Sequence, residues 1–145
     1  MNTAMLFLIL LVGGWASWVD IRELRIPDTV IVLGLSTSLT ATFVGLLSPS
    51  SFLAGTLTAS VQMLSIRLIT RNKLGLGDVK LGIFLAGILG PLRWIIAAVA
   101  ASMMMLFFLM PRIISGNAEK QELVPLAPAL TACSLLCAYI PENLM

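Results

Sequence analysis

One apolar run, Val79 to Met110, constrains this chain more than any other feature. As a single helix its about 32 residues would be roughly 48 Å long, whereas the hydrocarbon core of a bilayer is about 30 Å thick. The run therefore has to break, and Gly90, Pro91 and Arg93 supply the place. The break predicts a short fourth helix from Val79 to Gly90 and a fifth from about Trp94 to Met110. The fourth covers only about 18 Å, so either the bilayer thins around it or its Asp78 end sits below the membrane surface in a cleft that water reaches.

The remaining apolar stretches follow the same pattern. A first span is expected from Met5 to Val19, with Trp15 and Trp18 near its end, where indole rings favour the interface. MNTAMLFLIL has no basic residue ahead of its apolar run, which favours a retained span over a cleaved signal. A second span is expected from about Thr29 to Leu47, a third from Phe52 to about Ile69 with Gln62 inside it, and a last from about Leu123 to Ile140. Arg67 lies close enough to the end of the third to snorkel toward the headgroups. With 59% apolar and 11% charged residues, no soluble core could absorb the sequence. The expectation is an all-α integral membrane protein of about six helices, forming a single domain over residues 1–145.

Six spans place the loops after the first, third and fifth on one face. Those loops and their flanks hold Arg22, Arg25, Arg67, Arg71, Lys73, Lys80, Arg112 and Lys120, leaving Arg93 opposite. The bias assigns that face to the cytoplasm and both termini to the outside. Asp20, Asp28 and Asp78 then share the cytoplasmic face. The basic residues are spread over short loops rather than gathered in a patch, which argues against nucleic-acid binding.

The chain has no histidine, which excludes His-based zinc sites and Ser-His-Asp triads and leaves carboxylates or lysine for any catalysis. Cys133 and Cys137, four apart in an apolar run, read as small packing residues. A carboxylate at bilayer depth costs roughly 2.5 to 3.5 kcal/mol, so Asp78 needs a function and a partner. Asp28 follows Pro27 at a helix start, where it can cap free N–H groups; Asp78 also precedes a helix. Asp20 ends one, where an anion opposes the dipole, so capping does not explain it; a solvated charge or a salt bridge to Arg22 or Arg25 is the structural alternative.

Asp20 and Asp78 are therefore the better pair. Two carboxylates held close share one proton near neutral pH, which suits peptide hydrolysis: one takes a proton from water while the other donates to the scissile carbonyl oxygen. Gly75 and Gly77 allow backbone to approach beside the motif, Lys80 could tune the pair or bind a lipid phosphate, and Gly82, Ala86 and Gly90 form a small-residue face suited to helix packing.

The GxGDxKL string Gly75 to Leu81, the segment from Asp20 to Ile26-Pro27-Asp28, and Pro125-Leu-Ala-Pro128-Ala-Leu together resemble the type IV prepilin peptidase family. The resemblance covers nearly the whole chain, with three motifs in order. It implies an aspartic peptidase of the bacterial inner membrane in which Asp20 and Asp78 are catalytic and no cofactor or metal takes part. It also implies prepilin and pseudopilin substrates, cut at the cytoplasmic face after a glycine that precedes an apolar helix lying in the membrane. Larger members carry an N-terminal extension with paired CxxC motifs and methylate the new N-terminus with S-adenosylmethionine. Here the first loop is short and has no cysteine, and the compact form is similar to peptidases of Tad/Flp pilus systems. The last motif has Leu126-Ala127 where the family commonly has an aromatic-glycine pair.

Three other classes remain. A transporter could use Asp78 with Lys80, although no inverted repeat is apparent. A non-catalytic assembly subunit of a pilus or type II secretion system would have the same spans without needing the two aspartates together. A Ser/Lys protease would need a serine beside Lys80 or Lys73, and neither lysine has one.

Overall fold

The computed structural model describes residues 3–23, 27–71, 74–114 and 126–140, with the side chains of residue 4 and of 111–114 left aside. Among the described residues the chain is helical, in the order α1 (Thr3–Leu8), a π-helical turn (Ile9–Gly13), α2 (Gly14–Glu23), α3 (Asp28–Phe43), α4 (Pro49–Ile69), α5 (Leu76–Leu89), α6 (Pro91–Ile114) and α7 (Ala127–Tyr139). α1, the π turn and α2 form one unbroken rod. Among the described residues three stretches are long and apolar enough to cross a membrane: Met5–Glu23, Pro49–Ile69 and Pro91–Met110.

The apolar run breaks where its length requires. α5 stops at Leu89, Gly90 takes a φ of +79° that an L side chain resists, and Pro91 opens α6. The second span is shorter than expected, while the start expected for the last, at about Leu123, lies outside the described residues. α3 stops at Phe43 because Gly45 adopts φ +78°, the Leu46 N–H bonds back to the Ala41 carbonyl at 2.9 Å, and the Gly45 N–H bonds to that of Thr42 at 3.1 Å. This paired closure ends a helix whatever the hydropathy beyond it.

α5 lies at the centre. It packs against α3, α4, α6, α7 and the π turn, and from Val79 onward Val79, Leu81, Gly82, Phe84, Leu85, Ala86, Gly87, Ile88 and Leu89 are all buried. A helix apolar all round belongs inside a bundle. Its about 21 Å therefore need not match the bilayer, because protein rather than lipid surrounds it. Glycines allow the approach: a Cβ on Gly55 of α4 would lie 2.1 Å from the Ala86 carbonyl oxygen, and one on Gly82 would lie 3.0 Å from Trp94. The small-residue face of α5 is thus a packing face. Trp94 is fully buried and its indole N–H donates to Gln62 Oε1 at 2.9 Å, which gives the polar residue of α4 its partner. Cys133 and Cys137 are buried and unbridged in α7. Leucine, isoleucine, valine, methionine and phenylalanine side chains on the outer faces of the helices stand exposed, as a lipid solvent requires.

Candidate active site

Asp20 sits in the last turn of α2, yet it is only 6% exposed. Its partner comes from α7, 107 residues away in sequence: the Ala127 N–H donates to Asp20 Oδ2 at 3.1 Å, and backbone hydrogen bonding from Leu126 adds to it. α7 has need of such an acceptor. Its N-cap residue, Leu126, offers no side-chain oxygen, and Pro128 in the first turn has no N–H to give. The expectation that capping cannot explain Asp20 is corrected here, since the residue ends one helix and caps another. Arg22 is not its partner; the guanidinium lies over the Trp18 ring, 4.5 Å from the centroid. Arg25 lies outside the described residues.

Asp78 is the third residue of α5, ahead of the apolar stretch that begins at Val79. Its Oδ1 is buried and has no hydrogen-bond partner among the described residues, so capping of α5 is not what holds it. A Cβ on Gly75 would lie 3.2 Å from Asp78 Oδ2, which makes the missing side chain at the helix's N-cap a space kept for the carboxyl. Gly77, one residue before it, is half-buried. The Asp78 carboxyl is pushed up to about 6, first by burial and then by the charge of the Asp20 carboxylate. The fold thus brings the ends of two helices 58 residues apart (78 − 20) within electrostatic reach of one another.

Asp28 is placed differently. Pro27 is the extended N-cap of α3, and Asp28, 78% exposed at its side chain, forms an ion pair with Lys80 Nζ. Lys80 is 41% exposed and is engaged by this pair. Exposed ion pairs contribute about 0 to 1 kcal/mol, so the contact fastens α3 to α5 only loosely. We expect Asp28→Asn to lower turnover by no more than about threefold, with melting temperature nearly unchanged, because the pair it breaks is solvated. A loss as deep as that of Asp20→Asn in the same assay would contradict this placement.

Pro128 lies in the first turn of α7, while Pro125 falls outside the described residues. Sequence reasoning missed the contacts of three residues near the two aspartates. Arg67 donates from its guanidinium to the Leu74 carbonyl, holding the entry to the glycine stretch where simple snorkelling was expected. Ser17 and Thr131 meet between α2 and α7 one turn from Asp20, with Ser17 Oγ 3.1 Å from Thr131 Oγ1. The available signal was spacing: Gly13, Ser17 and Asp20, like Ala127, Thr131 and Ser134, recur at helical intervals as small or polar positions in apolar helices.

Against known proteins, a family model described as the type IV leader peptidase family matches residues 4–110. The match takes in Asp20 and Asp78 and ends before α7. No curated protein and no solved structure matches the chain.

Proposed function

The chain belongs to the type IV leader peptidase family, and on that premise we propose that Asp20 and Asp78 are the catalytic pair of a membrane peptidase that removes the leader of Flp-like prepilins and pseudopilins. Family membership implies aspartic peptidase activity in general. The observation that carries the assignment is the Asp78 carboxyl, buried at Oδ1 without a hydrogen-bond partner among the described residues and under the influence of Asp20. In this reading Asp78 holds the shared proton and donates it to the scissile carbonyl oxygen. Asp20 accepts a proton from the attacking water, whose hydroxide adds to the carbonyl carbon. As the tetrahedral adduct collapses, Asp20 passes the proton it took from water to the leaving nitrogen, so that the mature pilin departs as an amine, and Asp78 recovers its proton from the adduct's hydroxyl. Gly75 and Gly77 leave room at the site for an extended substrate. The chain crosses the bacterial inner membrane six times, both termini outside, with the pair at the cytoplasmic face.

The pH profile checks the assignment of the proton. An acid whose pKa is raised to about 6 is competent below that value and lost above it. We expect kcat/KM to fall on the alkaline side by about tenfold per pH unit once the pH exceeds that pKa. In Asp20→Asn the residual Asp78 titration moves downward, since one of its two causes is gone. The functional reading itself is tested by co-expression with a Flp-type prepilin, followed by gel shift and the mass of the mature N-terminus. Cleavage after the glycine supports it. Several prepilins and pseudopilins left intact by the wild type would sink it in favour of an assembly role. The mass also reports whether the new N-terminus is methylated.

A further inference from the structure

A polar seam joins the first helical rod to α7 beside Asp20. Ser17 Oγ lies 2.7 Å from the Gly13 carbonyl oxygen and 3.1 Å from Thr131 Oγ1. Thr131 Oγ1 lies 2.8 Å from the Ala127 carbonyl oxygen and 3.3 Å from that of Gly13. Each hydroxyl has one proton to give, so these contacts form a shared clasp rather than four simultaneous bonds. Thr131 is 5% exposed, which makes its hydroxyl an expensive group to leave unpaired. The helices touch at this point, for a Cβ on Gly13 would lie 2.6 Å from Thr131 Cγ2.

Axial register matters here more than it does between most helices. Asp20 Oδ2 accepts from the Ala127 N–H, and the next residue of α7 is Pro128, which has no N–H. A slip of one residue, about 1.5 Å along the axis, in the direction that carries Pro128 to Asp20 would leave the carboxylate facing a position without a donor. Thr131, one turn along from Ala127, is where the register is held. We propose that Ser17 and Thr131 are positioning residues for Asp20, acting by fixing the α7 N-terminus against its carboxylate. The inference rests on the catalytic reading of Asp20 for its effect on turnover and on geometry alone for its effect on register.

The test compares Thr131→Val, which keeps the branched shape and loses the hydroxyl, with Thr131→Ser, which keeps the hydroxyl. Ser134→Ala is the control: Ser134 lies on the same stripe of α7, and its Oγ is buried with no partner among the described residues. With purified enzyme and prepilin in detergent, Thr131→Val should lose about tenfold in kcat at a nearly constant KM, the signature of a displaced catalytic group. Thr131→Ser should recover to within about twofold of wild type, and Ser134→Ala should match wild type. Wild-type kcat per folded molecule in Thr131→Val, or an equal loss in Thr131→Ser, would overturn the proposal. A second measurement needs no substrate: amide exchange at Ala127 should be about tenfold faster in Thr131→Val than in wild type. Unchanged exchange overturns the register argument. Faster exchange in an enzyme that cleaves no prepilin would uphold the clasp and reject the peptidase reading.

Discussion

Asp78→Asn is expected to abolish leader removal, with a loss of about a thousandfold or more, while the protein still inserts and keeps its helical content. Asparagine has the same shape as the carboxyl it replaces. It has no proton acidic enough to pass to a scissile carbonyl, and among the described residues Oδ1 forms no hydrogen bond whose loss would disturb the fold. Asp20→Asn should be equally inactive for a different reason. The amide oxygen can still accept the Ala127 N–H, and asparagine caps helices about as well as aspartate does, so the contact with α7 survives. What it cannot do is take a proton from water. Asp20→Ala separates the two roles, losing cleavage and about 1 kcal/mol of stability together. The measurement is the gel shift and N-terminal mass for each variant. Cleavage persisting in Asp20→Asn would mean that the pairing is wrong, since only its capping role would then matter.

Gly55→Ala is expected to destabilise the bundle by about 3 kcal/mol, a large effect for one methyl group. The added Cβ would lie 2.1 Å from the Ala86 carbonyl oxygen, 2.8 Å from its carbon and 3.3 Å from Gly90 Cα. All three are backbone atoms of the central helix or its cap, and no flexible side chain stands between to move aside. α4 must therefore back away from α5 or α5 must tilt, and a tilt carries Asp78 with it. Both the melting temperature in detergent and the peptidase rate should fall. Gly14→Ala is the matched comparison: nothing lies within 4 Å of its new Cβ, and alanine in an exposed helical position is favoured over glycine by about 1 kcal/mol. Equal melting temperatures for the two variants would show that the close contact of α4 and α5 is not what holds the bundle.

Much of this fold was legible in the residues. A run too long for one span had to break, and Gly90-Pro91 broke it. Asp28 behind Pro27 marked a helix start, and α3 begins there. Gly45 was as plain a stop signal as Gly90, but hydropathy carried the expected second span past it to Leu47, because hydropathy records what a segment is dissolved in and not where its backbone hydrogen bonds close. The boundaries most easily misjudged were those set by one backbone dihedral.

The candidate site divides along the same line. By itself the sequence determined that the chain is apolar enough to live in a membrane, that catalysis without histidine would fall to carboxylates or lysine, and that Asp78 required a partner. Those conclusions rest on composition and on the cost of burying charge, which are properties of the residues wherever the chain places them. Only the tertiary structure decided which aspartate turns away to Lys80, that α5 is enclosed by protein and so excused from spanning length, and that Asp20 is held by the first turn of α7. Each of these depends on contacts between segments tens of residues apart, and the physical reason they escape the sequence is that a backbone N–H leaves no mark in it. Ala127 reads as a small apolar residue; it becomes the partner of Asp20 because Leu126 has no capping side chain, Pro128 has no N–H, and α7 begins where α2 ends in space.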